Sequence, residues 1–567
     1  MPRLGADLRP QSHQLENGLP AAVLRGRAQA GVAILVPILG FANLWFGMPG
    51  ASETLKILDF TLVLVRADEL AMLFGWLFHI AAFIGLVYSS HLRDTTQQVA
   101  ALAYAGSALG AVFAGDFITL FIFWELLAIS SVFLIWARRT PRAIAAGFRY
   151  LLINVFSGVI LLAGALVRLW ETGSLEFSYI GLEAGLAGWL ILLALGVKAA
   201  FPFLHNWLTD AYPEATPTGT VFLSAFTTKV AVYALARAYP GTELLIYIGG
   251  AMAMFPIFYA VIENDLRRVL AYSMINQIGF MVCGIGIGTA LALNGAVSHA
   301  FNDVIFKGLL MMSMGAVLHM TGRINGSELG GLYKSMPITT VLCIVGAASI
   351  SAFPLFSGFV SKSMVMQAAM DEGYPVIWLA LLFASAGVFH HAGIKIPFFA
   401  FFAHDSGIRT TEPPLNMLLA MGVAAVLCIG IGSYPDVLYG LLPYEAEYHP
   451  YDWSHVITQT QLLFFSALAF VWLNLTGRYP PELPSANLDA EWLYRRLAPR
   501  VAGCAISALD RMNAALDRFG QRVKDRAIAY VEHHHGPEGY FARTWPTGSM
   551  VALVAMVLVA SLAFYLA

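Results

Sequence analysis

The chain has 567 residues, of which 58% are hydrophobic and only 12% are charged, and its formal net charge is −2. Soluble domains usually carry about 25% charged residues, and the mean hydropathy of this chain is +0.69. The balanced charge excludes a strongly basic or acidic protein, and no basic tract points to a nucleic acid partner. Because the apolar residues come in long blocks, the sequence predicts a polytopic protein of the lipid bilayer.

A polar, basic stretch, residues 1–27, precedes the first apolar block and is too long and irregular for a secretory leader, so we predict a cytoplasmic tail. About fifteen blocks of helical length follow, without the alternation of barrel strands. They cover residues 28–47, 68–90, 98–114, 116–137, 146–168, 185–206, 217–238, 242–262, 269–290, 291–318, 338–357, 375–403, 415–437, 458–475 and 548–566. The expected fold class is an all-α polytopic membrane protein with about 15 transmembrane helices.

The loops between the blocks differ in their content of Lys and Arg. Loops 137–149, 263–268 and 322–334 are basic, whereas loop 434–453 is poor in basic residues. Positively charged loops favour the cytoplasmic side. Fifteen spans alternate consistently between the two sets, so we expect a bacterial inner-membrane protein with its N-terminus in the cytoplasm and its C-terminus outside.

The blocks divide the chain into six segments. These are the tail (1–27), the first transmembrane helices (28–97), a core (98–403), further transmembrane helices (404–475), a surface segment (476–547) and a last transmembrane helix (548–567). In the surface segment, apolar residues recur every three or four positions from Val501 to Phe519, which predicts an amphipathic helix on the membrane or on a partner protein. The run His533–His535 could bind a metal, but we favour a solvated helix end.

Ionisable residues occur inside the apolar blocks, where each costs roughly 2.5–3.5 kcal/mol on insertion scales. The main set is Glu125, Lys198, Lys229, His299, Asp303, Lys307 and Lys362, and possible accessory groups are His205, His390, His391 and Lys395. Snorkelling or a structural hydrogen bond accounts for a single such group. So many in consecutive helices favour an ion or proton pathway.

Two features of these residues fit proton transfer. A buried lysine has its pKa lowered by desolvation and raised by a nearby carboxylate, so it can change its charge when a carboxylate approaches or withdraws. Lys198 lies four residues before Pro202, and Lys362 follows Pro354 and Gly358. Proline removes a helical hydrogen bond, so both spans are expected to break within the membrane, and paired interruptions of this kind point to the site of a transporter.

Six motifs occur in order along the chain: FWELLAISSVFLIW, VKAAFPFLHNWLTDAYPEATPT, TTKVAVYAL, ENDLRRVLAYSMINQIGF, HAFNDVIFKGLLMMSMGAVLH and SAFPLFSGFVSKSMV. Together they resemble the antiporter-like subunits shared by respiratory complex I and the Mrp-type sodium/proton antiporters, over about residues 70–475. The resemblance implies two inverted five-helix repeats with broken helices, and proton movement along a central polar axis. Within this family the chain resembles the D-type subunits of the Mrp antiporters.

The resemblance also assigns roles to individual residues. It implies a carboxylate (Glu125), its lysine partner (Lys198), a second lysine (Lys229), a central lysine (Lys307), a histidine two turns before it (His299), a terminal lysine (Lys362) and a structural loop motif (Asp265, Arg267 and Arg268). Two positions depart from the family. Asp303 replaces a histidine and is expected to pair with Lys307, and residues 217–219 read Pro-Thr-Gly instead of Pro-Thr-Pro.

The implied function is that of a proton-translocating subunit of a multi-subunit Na⁺/proton antiporter, which transports ions together with other membrane subunits. Such a subunit is not itself an enzyme, and it would belong to one only as part of a complex I-like translocase. The alternative is a proton-pumping subunit of a complex I-like NADH:quinone oxidoreductase, followed by an energy-coupling subunit of another ion-translocating complex and by a structural scaffold. The chain has no CxxC set, no dinucleotide fingerprint and four scattered cysteines. We therefore expect no cofactor and no bound metal.

Overall fold

The computed structural model describes residues 26–47, 50–57, 60–483 and 487–566. Nearly all of the predicted N-terminal tail lies outside these residues. The chain divides into two compact units, Met1–Asn487 and Leu488–Ala567.

Helices dominate both units. In the first unit they are α1 (Arg27–Gly47), α2 (Glu69–Ser89), α3 (Thr95–Phe113), α4 (Phe117–Trp136), α5 (Pro141–Thr172), α6 (Gly185–Lys198), α7 (Asn206–Ala211), α8 (Gly219–Ala225), α9 (Thr227–Ala238), α10 (Leu244–Ile262), α11 (Leu266–Ile287), α12 (Ala290–Thr321), α13 (Pro337–Ile350), α14 (Ser357–Asp371), α15 (Pro375–Val388), α16 (Leu415–Ser433), α17 (Asp436–Tyr439) and α18 (Trp453–Leu475). The π-helical segments Phe389–Lys395 and Phe398–Phe402 continue α15. The second unit contains α19 (Ala498–His535) and α20 (Thr547–Leu566).

The helices confirm the predicted class, an all-helical polytopic membrane protein. Twelve of the described helical stretches are long and apolar enough to cross a membrane, with α8 joined to α9 and α15 joined to its π-helical continuation. The shorter apolar helices α6 and α13 coincide with two more predicted blocks, and the less hydrophobic α3 coincides with a third. Each of the fifteen predicted blocks therefore corresponds to a helix or to a broken helix.

A small β-hairpin adds to the expected helices. Strands β1 (Ser52–Ile57) and β2 (Phe60–Arg66) pair antiparallel. The Oδ2 atom of Asp116 accepts a hydrogen bond from the backbone N of Val63 at 2.8 Å, while the Oδ1 atom of the same carboxylate caps the first turn of α4. One side chain thus ties the hairpin to a transmembrane helix. The sequence-based assignment missed the hairpin because it is short and lies between two strong apolar blocks.

The two predicted helix breaks have the same backbone geometry. Each follows the end of an apolar helix with an Ala-Phe-Pro tripeptide, at residues 200–202 after α6 and at 352–354 after α13. The alanines are left-handed, with φ of 62° at Ala200 and 59° at Ala352. In both breaks the phenylalanine amide donates to the carbonyl five residues earlier, at 2.9 and 3.1 Å, and the alanine amide donates to the carbonyl three residues earlier. This pattern is a Schellman helix end, here without glycine, and it confirms that both helices stop beside Pro202 and Pro354.

The third predicted break residue, Gly358, lies inside α14 and serves packing instead. A Cβ atom at this position would overlap the carbonyl oxygen of Ser349 in α13. Glycine therefore lets the second half of the broken helix pass directly against the end of the first half.

Helix α12 lies inside the first unit and packs against α11, α13, α14 and α16. Every residue from Ala292 to Val317 is buried. A helix that is covered on all sides can present polar groups in several directions without exposing them to lipid. It is the element around which the candidate site is built.

In the second unit, α19 carries the predicted apolar series on a helix whose residues are all at least partly exposed. The run His533–His535 forms the last turn of this helix. The final span predicted at 548–567 is the helix α20.

Helices α10 and α11 approach each other through glycines, which gives a test of the packing. A Cβ at Gly279 would lie 2.5 Å from the backbone N of Ala253 and 2.7 Å from the carbonyl O of Gly249. We predict that Gly279→Leu destabilises the protein by at least about 1–3 kcal/mol, because backbone atoms cannot move aside as side chains can. Thermal unfolding of the detergent-purified protein measures the effect.

The matched control is Gly422→Leu in α16, where a Cβ would meet no atom within 4 Å. Equal unfolding temperatures for the two leucine variants would contradict the described contact between α10 and α11.

Candidate functional site

The ionisable residues of the main set lie inside the first unit. Lys198, Lys229, His299, Asp303 and Lys307 are 0% exposed and Lys362 is 2% exposed, whereas Glu125 is half-buried on α4. They come from α4, α6, α9, α12 and α14, so the fold gathers groups that are far apart in the sequence. Because a charged group without a partner is very costly in such surroundings, the contacts of each side chain define the site.

The centre of the site is a fully buried ion pair between α9 and α12. The Nζ atom of Lys229 lies 2.6 Å from the Oδ2 atom of Asp303, and both side chains are 0% exposed. Lys229 also donates to the carbonyl O of Ser224 at 3.2 Å. The pair thus links α9 to α12.

The expected pairing of Asp303 with Lys307 is wrong. Lys307 donates to the Oγ atom of Ser273 on α11 at 2.8 Å, while Asp303 faces Lys229. Spacing within a helix places two residues on one face, but it does not fix their partners. Here the neighbouring helices offer a closer lysine to the carboxylate and a hydroxyl to Lys307.

His299 bridges two helices one turn before Asp303. Its Nδ1 atom is 3.0 Å from the Oγ atom of Ser361 on α14, and its Nε2 atom is 3.0 Å from the Oε1 atom of Gln277 on α11. The amide nitrogen of Gln277 donates to Asn276, so its oxygen faces the ring. Nε2 can donate to that oxygen, whereas Nδ1 can either donate to the serine hydroxyl or accept from it. Such a ring can accept a proton at one nitrogen and release one at the other.

Lys362 is bound to the broken helix that precedes it. Its Nζ atom donates to the carbonyl O of Ile350, the last residue of α13, at 2.7 Å. Carbonyls at the end of a helix lack intrahelical partners and carry partial negative charge. The break in α13 thus supplies the acceptor that this buried lysine requires.

Lys198 and Glu125 are neighbours without the predicted direct pair. Lys198 donates to the carbonyl O of Trp124 at 2.5 Å, and its Nζ atom lies 4.3 Å from the centroid of the Trp124 ring. Among the described ion pairs none joins Lys198 to Glu125 within 4.0 Å, and the buried Oε1 atom of Glu125 has no hydrogen-bond partner. That oxygen lies where a Cβ of Gly158 would be, so the glycine makes room for the carboxylate. The amine of Lys198 is therefore bound to the backbone of the residue that precedes Glu125, and not to its carboxylate.

Comparisons with known proteins show what this chain is similar to as a whole. The family described as "NADH:quinone oxidoreductase/Mrp antiporter, TM" matches residues 114–388. The A-type subunit of the Na⁺/H⁺ antiporter of Alkalihalophilus pseudofirmus is 30% identical over 427 residues, which cover 66% of this chain and 53% of that protein. The structure of the Mrp complex from Dietzia sp. superimposes with a TM-score of 0.72 and 26% identity, covering 96% of this chain and 61% of the other chain.

The chain is similar to the antiporter-like membrane proteins of Mrp antiporters and complex I. It spans about half the length of the curated relatives it matches. A chain of the membrane-bound sulfane sulfur reductase, an archaeal respiratory membrane complex, shares the fold with a TM-score of 0.67 at 21% identity, covering 94% of this chain and 95% of that chain.

Two of the accessory histidines are buried. His205 directly precedes α7 after the first break, and its ring packs against Phe255 with 4.7 Å between centroids. His391 is 0% exposed in the π-helical continuation of α15. Lys307 and Lys395 are among its charged neighbours, so His391 belongs to the polar interior.

The remaining accessory residues contact a segment that sequence reasoning had left out of the site. Lys395 pairs with Glu482 at 2.8 Å, and the ring of His390 stacks on Tyr479. The sequence did not identify Glu482 as a candidate, because this residue lies outside the apolar blocks, in the polar sequence YPPELP that follows the last block of the first unit. The one sequence feature that could have indicated this residue is the short stretch with tyrosine and prolines directly after a predicted span.

The motif at the start of α11 has a structural role. Asp265 accepts hydrogen bonds from the backbone N atoms of the first turn of α11. The fully buried Arg267 donates to the Oγ1 atom of Thr220 at 3.0 Å and to the carbonyl O of Ala215 at 2.9 Å. These contacts fix the start of α8, which begins at Gly219 in the altered Pro-Thr-Gly sequence.

The site is rich in proton-binding groups held by oxygen acceptors. Within the described residues, no group of three or more His, Cys, Asp or Glu side chains is placed to hold a metal ion. The arrangement can hold protons on amines, imidazoles and carboxylates in the interior of the first unit.

The central ion pair makes a prediction about stability. Asp303→Asn leaves Lys229 buried without its counter-charge, so we expect a loss of about 3–5 kcal/mol in the free energy of unfolding. The double variant Lys229→Met/Asp303→Leu removes both charges and should recover most of that loss. Unfolding of the purified protein in mixed micelles measures all three proteins. A double variant no more stable than Asp303→Asn would show that the two charges do not interact as described.

Proposed function

We propose that this antiporter-like chain is a proton-translocating membrane component of a multi-subunit Na⁺/proton antiporter. The observation that carries the proposal is the series of buried lysines Lys198, Lys229, Lys307 and Lys362, each held by an oxygen acceptor from the protein. Ionisable residues inside a membrane are costly and mark ion or proton pathways. Acceptors from neighbouring helices replace water around each amine, so the amine can bind and release a proton while it stays buried.

The names of the relatives support the antiporter. One relative is named as the A-type subunit of a Na⁺/H⁺ antiporter, and one similar structure is that of an Mrp complex. Because the relative is named as a subunit and the similar structure as a complex, we propose that this chain works beside other membrane subunits, which complete the cation pathway. The relatives are of the A type by name, so the assignment to the D type stays a prediction that the partner subunits will test.

The order of the groups suggests how a proton moves. Lys198 accepts a proton while Glu125 is apart from it, and passes the proton by way of Lys229 to Lys307. The proton leaves near Lys362, with His299 as a relay between α12 and α14. Asp303 controls the middle step. Its carboxylate offsets the positive charge of Lys229 in this structure. Lys307 lies one turn after Asp303, roughly 6 Å along the same helix. When the carboxylate turns toward Lys307, the charged form of Lys229 loses its partner and releases its proton.

We further propose a bacterial inner membrane as the location, with the N-terminus in the cytoplasm. The basic loops 137–149, 263–268 and 322–334 support this orientation, because positively charged loops remain on the cytoplasmic side.

The alternative function is that of a proton-pumping subunit in a complex I-like assembly. The matching family covers both NADH:quinone oxidoreductases and Mrp antiporters, and the same buried lysines would serve either one. The discriminating experiment is affinity purification of the native complex with identification of its partners. Small Mrp-type subunits support the antiporter, and subunits with NADH or quinone sites support the alternative.

The pathway predicts a specific loss of transport. In inverted membrane vesicles that contain the complete complex, Lys198→Ala and Lys307→Ala should each lower the rate of Na⁺-dependent proton movement by roughly 100-fold, the scale of a lost proton-transfer group. The rate is divided by the amount of assembled complex. Lys334→Ala, which removes an exposed lysine paired with Asp405, is the control and should leave the rate unchanged. Wild-type rates in both alanine variants would exclude the proposed path.

A further inference from the structure

A second buried lysine–carboxylate pair lies outside the main series. The Nζ atom of Lys395 is 2.8 Å from the Oε1 atom of Glu482, and the side chains are 0% and 5% exposed. Lys395 ends the π-helical segment after α15, and Glu482 lies in residues 476–483, which follow α18 and which we call the strap. Removing two charges from water is unfavourable unless they satisfy each other and find further hydrogen bonds. The surroundings of the pair supply such bonds.

Lys395 is fixed against the end of α10. Its Nζ atom lies 3.3 Å from the carbonyl O of Ala260 and 2.7 Å from the carbonyl O atoms of both Val261 and Glu263. With Glu482, four oxygen acceptors surround a group that has three N–H donors. The end of α10 also carries partial negative charge. The charged lysine is thus well stabilised, and among these four acceptors Glu482 alone can take up a proton, because the others are backbone carbonyls.

The strap is attached to the same π-helical segment at a second point. The ring of Tyr479 stacks on His390, with 5.5 Å between centroids and 23° between planes. His390 and Lys395 are five residues apart, and π-helical hydrogen bonds join residues five apart. The two side chains therefore lie about one turn from each other, and both contact the strap. Short π-helical insertions of this kind are frequent at functional sites.

The pair connects the interior with the surface. On the inner side, the fully buried His391 has Lys307 and Lys395 among its charged neighbours. On the outer side, Pro481 and Leu483 flank Glu482 and are exposed. The buried Oε2 atom of Glu482 has no hydrogen-bond partner among the described residues. Burial raises the pKa of Glu482, an effect that Lys395 opposes, so the carboxylate is suited to hold a proton for part of a cycle.

We propose that Glu482 is a further proton-pathway residue, which exchanges protons between Lys395 and the aqueous phase. The inference rests on the proposed proton-translocating function. In the step, an N–H bond of the Lys395 ammonium breaks and an O–H bond forms on Glu482, which leaves a neutral amine and a neutral carboxylic acid. The acid then releases the proton to water and becomes a carboxylate again, and Lys395 receives its next proton from the interior. Transfer in the opposite direction uses the same atoms.

The position of the strap places the proton exchange between Glu482 and water on the side of the protein that carries the basic loops. Glu482 lies beside Gly326, where an added Cβ would be 3.4 Å from its Oε2 atom. Gly326 in turn donates its backbone N–H to the carbonyl O of Asn264 at 2.8 Å. These neighbours belong to the basic loops 322–334 and 263–268. With the predicted orientation, Glu482 exchanges protons with the cytoplasm.

The test uses the complete complex in membrane vesicles and measures Na⁺-dependent proton movement per assembled complex. Glu482→Gln keeps the shape of the side chain but cannot ionise, and we expect the rate to fall by roughly 100-fold. Glu482→Asp keeps a carboxylate and should restore at least about a tenth of the wild-type rate. The matched control is Asp405→Asn, which removes an exposed carboxylate that pairs with Lys334 at 3.2 Å and should leave the rate unchanged.

Three results would overturn the inference: a wild-type rate for Glu482→Gln, an aspartate variant as inactive as the glutamine variant, or normal transport by the double variant Lys395→Met/Glu482→Leu. The double variant removes both charges of the pair and so avoids the unpaired lysine if the single variants fail to assemble. Absence of Na⁺-dependent proton movement in the wild type and in Asp405→Asn would instead reject the proposed function itself.

Discussion

The ion pair of Lys229 and Asp303 is the interaction on which the rest of the site depends. Two opposite charges 2.6 Å apart with no exposed surface stabilise each other only while α9 and α12 keep their relative position. Because α12 is buried along most of its length, its neighbours must supply every partner for its polar side chains. The same helix contacts Gln277, Ser273 and Ser361 through His299 and Lys307. The buried polar contacts therefore help to set the packing of the central helices.

Helix ends inside the membrane supply carbonyl oxygens that accept hydrogen bonds from buried lysine amines. An unbroken helix satisfies its own carbonyls, whereas a helix that stops leaves several carbonyls without partners. Lys362 uses such a carbonyl at the end of α13, and Lys395 uses three near the end of α10. The same Ala-Phe-Pro sequence with the same left-handed alanine produces the breaks after α6 and α13. At Lys362 the break supplies the acceptor directly, and at Lys395 an ordinary helix end does so; in both places backbone oxygens replace water around the amine.

The sequence predicted the helices and the helix breaks, because both follow from local properties such as long apolar blocks and prolines. It also identified the buried lysines, since a charge inside an apolar block stands out. It could not predict the partners of these charges. Lys307 was expected to pair with Asp303 because they share a helix face, but helix packing brought Lys229 to the acid and Ser273 to Lys307. Glu482 was missed for the same reason, since only the fold brings the strap to Lys395.

The central claim is that the buried lysines work by binding and releasing protons and not merely by carrying charge. Lys307→Arg tests this most directly, because arginine keeps the positive charge and remains protonated in proteins. The measurement is the rate of Na⁺-dependent proton movement by the purified complex in proteoliposomes, divided by the amount of complex inserted. The account predicts that the arginine variant assembles but moves protons roughly 100-fold more slowly than the wild type. A rate equal to that of the wild type would contradict it, because a fixed charge would then suffice at the centre of the axis.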